Sequence, residues 1–319
     1  DHPWAGFASG SGILLTFNDY LPEDYLRDQE ENSVGKSFES YKFGGKQWAL
    51  PIDAATPVAS YRPDILEETG ESVPGTWEDL LALVKKVKVA MAGIPIDVLM
   101  NFYMLCITQG GKIFQNDETV VDEETGILAL RQLRELASSM TPEIFEWNPI
   151  KVYEAMTSRD DIAYCPFAYG YNNYSRRGYA KHRLVFTDLV SIGEYGLLQS
   201  TLGGTGIAVS ARCLHKEIAV DYARFTASPE CQSTLYYYSG GQPGHRKAWL
   251  DDEINAHSLN YFKNTLKALD RAYLRPRYNG YLYFQDHAGD PVQDYLKNGG
   301  DEKAVLQSMD VIYRKSKGI

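Results

Sequence analysis

The chain has 319 residues, 44% of them hydrophobic and 23% charged, the balance of a globular protein large enough for more than one core. Its 32 Lys and Arg stand against 42 Asp and Glu, and a formal charge of -10 would repel a phosphate backbone, which argues against nucleic acid as a partner. No apolar run reaches the ~18 residues of a membrane-spanning helix, and Asp1-His2-Pro3-Trp4 has neither the basic start nor the apolar stretch of a signal peptide.

In chain order, residues 1–46 are rich in Gly, Ser, Asn and acids and read as a loop whose preceding strand is absent. WALPIDAATPVASY predicts two extended pieces, 48–52 and 57–61, around a link of small residues that bears Asp53. RPDILEETG predicts a short helix with Pro63 near its start and Gly70 beyond its end. In PGTWEDLLALVKKV, Thr76 and Asp79 form a capping-box pattern, and Leu80, Leu83, Val84 and Val87 make one helical stripe. Helices follow at 97–109, 123–139 and 149–157, with strands at 161–168, 184–190 and 206–210. HKEIAVDYARFTAS reads as a helix with Ile218, Ala219, Tyr222 and Phe225 on one face, and helices at 254–273, 291–297 and 302–315 close the chain. Helices alternating with short strands indicate an α/β fold. Cys106, Cys165, Cys213 and Cys231 lack zinc spacing, and Cys213 and Cys231 bracket a helix that holds them on the order of 18 Å apart, beyond disulfide reach.

The series WALPIDAATPVASYRPDILEETG, PGTWEDLLALVKKV and GTGIAVSARCLHKEIAVDYARFTASPE resembles the extracellular solute-binding proteins of bacterial ABC importers, in their carbohydrate-binding group. The likeness runs from about Tyr41 to near the end of the chain. It implies an α/β, two-lobed periplasmic-binding-protein fold, type II-like, with several crossover segments and ligand in the cleft between lobes. The crossovers fall near 51–58, 205–209 and 240–249, which puts 1–55 and 206–248 in a first lobe and 56–205 and 249–319 in a second. Members of the family open with further strands and helices ahead of the position of Asp1, so the resemblance also predicts an intact protein longer than this chain. It implies a periplasmic or extracellular location, an ABC permease as partner, a monomeric state, and neither cofactor nor metal.

The stretch PFAYGYNNYSRRGY, 166–179, carries five rings among Gly, Asn, Ser and Arg, where a core strand would use aliphatic residues. A sugar offers apolar C–H faces and a rim of hydroxyls, so it needs flat rings beside Asp, Asn, Gln or Arg. Phe167, Tyr169 and Tyr171 share one side of an extended segment and are candidates for a cleft wall, against the plainer alternative of packing, which suits Tyr174 and Tyr179 better. In TLGGTG, Gly203, Gly204 and Thr205 would let backbone amides approach a ligand; the alternative is a tight turn. By the resemblance Asp1, His2 and Trp4 lie in a ligand loop, with Trp4 as a stacking ring, against the alternative of a disordered terminus; Asp53, in the LPID link, is a candidate to accept two hydroxyls at a hinge, against ordinary turn capping. Gln242 and Arg277 are further candidates, in irregular segments that also carry Arg246 and Tyr278; salt bridges are the alternative for both arginines.

The expected ligand is an uncharged sugar or polyol. A polyamine or other cationic solute is the alternative that the acidic balance favours. A carbohydrate hydrolase would need two carboxylates about the scissile bond, but no GxSxG, HExxH or phosphate-loop motif is present and the six histidines are scattered singly. Binding without catalysis is the reading adopted.

Overall fold

The structure is a computed structural model that describes residues 1–318. Its strands are β1 (Leu50–Ala55), β2 (Pro57–Tyr61), β3 (Lys88–Val89), β4 (Ile162–Tyr169), β5 (Val185–Thr187) and β6 (Gly203–Ile207), beside a small hairpin at 42–47. Strands β1 and β6 pair antiparallel, with Asp53 opposite Thr205 and Ala55 opposite Gly203. The second sheet runs β3-β4-β2-β5, parallel only between β3 and β4. Thr56 alone separates β1 from β2, yet the two belong to different sheets. Pro57 lacks the N–H that would extend the first ladder, so the chain changes sheet there.

The helices are α1 (Ala5–Ser11), α2 (Glu23–Asn32), α3 (Pro63–Thr69), α4 (Trp77–Leu83), α5 (Pro95–Thr108), α6 (Glu123–Ser138), α7 (Pro149–Ser158), α8 (Lys216–Ala227), α9 (Asp252–His257), α10 (Tyr261–Asp270), α11 (Tyr281–His287), α12 (Gly289–Asn298) and α13 (Glu302–Lys317), with several single turns between them. The capping box is present in full: the Asp79 amide donates to Thr76 Oγ1 at 3.0 Å, and the Thr76 amide donates to Asp79 Oδ2 at 3.0 Å.

Four sequence expectations are corrected. Residues 1–46 are not a loop: α1 and α2 lie within them, α1 on small buried residues that offer no apolar stripe and α2 on the Pro22 and acidic first-turn start signal. A single helix over 254–273 is instead two, because Leu259 and Asn260 take φ of 51° and 59° and the Asn255 amide group bonds Trp249 O, Asp251 O and the Lys263 N–H. The strand expected at 206–210 begins earlier, on the glycines themselves. On α8 the stripe Ile218, Tyr222 and Phe225 faces outward, at 70%, 63% and 52% exposure, while Val220, Ala223 and Ala227 are buried. In addition α11 occupies a stretch where no helix was expected.

Two hydrophobic cores form. The smaller gathers Leu15, Phe17, Leu21, Leu26, Phe38, Leu50, Val209, Val220, Ala223 and Ala227; the larger surrounds the four-stranded sheet and helices α5, α6, α10 and α12. All four cysteines carry free thiols. Among the described residues no helix is long and apolar enough to cross a membrane.

Candidate ligand-binding site

A cavity of about 420 Å³ opens where β1 and β6, the end of β4 and the first turns of α5 and α7 meet. Asp1, Asp53, Ala55, Ile94, Ile96, Asp97, Met100, Asn148, Pro149, Tyr169, Tyr171, Gly203, Gly204, Thr205 and Arg275 line it. A surface recess of about 460 Å³ between α2 and the hairpin holds none of the expected residues.

The glycines of β6 explain how a ring reaches this wall. A Cβ on Gly203 would lie 2.5 Å from Tyr169 Cε1, so only glycine leaves room for the tyrosine beside the strand. Gly204 takes φ of +129°, and a Cβ there would lie 2.3 Å from the Asp53 carbonyl. Tyr169 OH and Thr201 Oγ1 share a hydrogen bond of 3.0 Å. Tyr153 OH donates to the Ala168 and Tyr169 carbonyls at 3.1 Å, and its ring meets Tyr171 edge to face at 6.1 Å. Both tyrosine rings are thereby held before any ligand arrives.

Three acids face the same space. The Asp1 carboxylate accepts from Arg275 Nη2 at 2.7 Å; that guanidinium also donates to Leu202 O at 3.1 Å and to Gln285 Oε1 at 2.8 Å. The half-buried Asp53 is crowded by protein, and this desolvation pushes its pKa up to about 7, with the Gln242 backbone amide pulling the other way. Burial likewise pushes Asp97 up to about 7. Burial first, then Asp53 and Asp97, lifts Tyr171 to about 12, which ties the three groups to one cavity.

Of the residues singled out from sequence, Asp1, Asp53, Tyr169, Tyr171, Gly203, Gly204 and Thr205 come together here. The others do not reach it. Phe167 is fully buried and stacks on Trp77 with ring centroids 6.5 Å apart, because the middle of β4 is covered on both faces. His2 is buried against Tyr41, and burial, then Arg275 and Arg277, keep its pKa well below the usual imidazole range. Trp4 is 52% exposed and packs on Phe7. Gln242 lies behind the wall, where Nε2 donates to Ala54 O at 2.8 Å and Gly170 O at 3.0 Å and Oε1 accepts from the Asn172 amide at 2.8 Å. Arg277 donates to the carbonyls of Glu39, Ser40 and Lys42, a structural tie. Arg246 pairs with Asp270, and Tyr278 bonds Ser316, so neither contributes.

The sequence reading missed Asp97, Asn148 and Arg275. Asn148 and Asp97 look like ordinary helix-start residues, and Asn148 does cap α7 by accepting from the Lys151 amide at 2.9 Å. The Arg-Pro-Arg run offered a signal for Arg275, since an extended proline segment puts alternate residues on one side.

The family model of bacterial extracellular solute-binding proteins matches residues 1–263. The chain belongs to that family. An arabinooligosaccharide-binding protein of Halalkalibacterium halodurans is 22% identical to this solute-binding chain over 258 residues, 76% of this chain and 56% of the relative. The chain thus spans little more than half the length of that curated relative. Among solved structures, maltose-bound MalE3 of T. maritima superposes with a TM-score of 0.82 at 17% identity, over 98% of this chain and 82% of that one. A ribitol complex of an ABC transporter solute-binding protein from Agrobacterium radiobacter K84 gives 0.83 at 20% identity, over 99% and 83%. These likenesses establish the two-lobed periplasmic-binding-protein architecture. The cavity lies between its two sheets.

Proposed function

We propose that this solute-binding chain captures a sugar or polyol in the cavity between its sheets, closes its lobes over it, and presents the loaded form to an ABC permease outside the cytoplasm. The lobes divide as 1–55 with 206–248 and 56–205 with 249–319, and the protein works as a monomer. A smaller core drawn from 15–50 and 209–227 supports a separate first lobe, while Val34, Ala54, Tyr237 and Ala248 of its ranges pack in the larger core. The observation that carries the function is the convergence of two tyrosine rings, a glycine-lined strand and several acids on one cavity. Rings suit the C–H faces of a sugar and carboxyls suit its hydroxyl rim. The relatives named for arabinooligosaccharide, maltose and ribitol support the same ligand class.

Binding is favoured over hydrolysis by the family match and by the curated relative, both of solute-binding proteins.

The test is titration calorimetry of protein unfolded and refolded to strip carried ligand, against ribitol, maltose, arabinotriose and putrescine. One neutral ligand is expected to bind at micromolar affinity or tighter and to be recovered unchanged. In the same assay Tyr169→Ala is expected to weaken it by about 1–3 kcal/mol, the range for losing a buried ring face. Cleavage of a glycoside, or no binding across the panel, would contradict the proposal.

A further inference from the structure

The wall of the cavity formed by helices, not strands, is built from the first turns of α5 and α7, which are 14 and 10 residues long. Asp97, in the first turn of α5, is 7% exposed, and its Oδ2 has no hydrogen-bond partner among the described residues. Capping does not account for it: no side chain caps α5 at Ile94, and the Asp97 amide donates to Ile94 O at 3.0 Å. Charge pairing does not account for it either. Among the described residues the one basic side chain in the cavity wall is that of Arg275, already committed to Asp1, Gln285 and Leu202. Tyr153 of α7, Cys165 of β4 and Tyr171 feel the charge of Asp97, and none of them is basic. A buried carboxyl without a partner destabilises a fold, and such groups persist where something else completes them.

We propose that Asp97 is a second anchoring point for the ligand on the helical wall, complementing Asp53 on the strand wall, and that each carboxyl takes a hydroxyl of a polyhydroxylated ligand. This rests on reading the cavity as the ligand cleft. Two helix amino ends bring partial positive charge to the wall that carries Asp97, which offsets part of its charge. The carboxyls oppose an anion. A hydroxyl suits both, because it donates to a carboxylate and accepts from an N–H or from a protonated carboxyl.

The experiment compares wild type with Asp97→Asn by titration calorimetry against ribitol, maltose, arabinotriose and putrescine, and by thermal melting without ligand at pH 8. The amide keeps the shape, removes the buried charge and halves the acceptor capacity. Asp97→Asn is expected to melt no lower than wild type while binding the preferred neutral ligand about tenfold to a hundredfold more weakly. Should it fail to fold, Asp97→Ser carries the same comparison. Unchanged affinity in the variant would overturn the inference and leave the cleft reading intact. A lower melting temperature would assign Asp97 to helix stability and overturn it too, and a preference for putrescine would overturn the ligand class. Absence of binding by wild type to every neutral probe would overturn the cleft reading and this inference with it.

Discussion

Asp53 and Asp97 hold protons more tightly in the fold than a free aspartate does, at about 7 against an ordinary value near ~4. Between those limits the native state binds more protons than the unfolded chain, so stability falls as pH rises through that window. The melting temperature of the ligand-free protein relative to that of Asp97→Asn is therefore expected to be lower at pH 8.5 than at pH 5, measured by differential scanning calorimetry; His2 and His245, whose burial acts in the opposite sense, cancel in that comparison. A flat or rising profile of that difference would contradict the assignment. At this scale the sequence was only partly informative. Alternation along 167–171 identified Tyr169 and Tyr171 but carried Phe167 with them, because a period of two cannot tell the end of a strand at a cleft from its covered middle. Asp97 was invisible for another reason. An acid in a first helical turn is commonplace, and only its burial without a partner sets it apart.

Elements with strong local signals were legible. Helices α5, α6, α7 and α13 start within two residues of the sequence expectation, as do strands β1, β2 and β4, and the Thr76 box is formed as expected. Where tertiary contact decides, the reading failed: α8 keeps its larger apolar side chains outward, and Asn255 breaks the 254–273 helix by bonding three backbone groups. The segment 240–244 belongs to this scale too. Gln242 ties it to the end of β1 and to the segment after β4, through partners that are buried with it. Gln242→Ala leaves two carbonyls and one amide without their partner, so a loss of at least about 2 kcal/mol is expected in urea denaturation. A change below about 0.5 kcal/mol would show that water replaces the side chain and that Gln242 is no fastening point.

At the scale of the whole molecule, the two sheets meet at Thr56, where one residue carries the chain from β1 to β2, and the cavity sits beside that passage. The two-lobed architecture was legible because the order of modest motifs from 48 to 84 is more specific than any one of them. Which residues the lobes bring face to face was not, since that depends on the packing of segments more than a hundred positions apart, as Asp1 and Arg275 illustrate. The central claim is that a sugar or polyol is gripped between these walls. Hydrogen–deuterium exchange with and without the saturating neutral ligand tests it most directly. The account predicts slowed exchange in peptides covering 50–56, 94–100, 169–172 and 201–206, drawn from both sheets and the helical wall. Protection confined to one side, or lying away from all four segments, would contradict it.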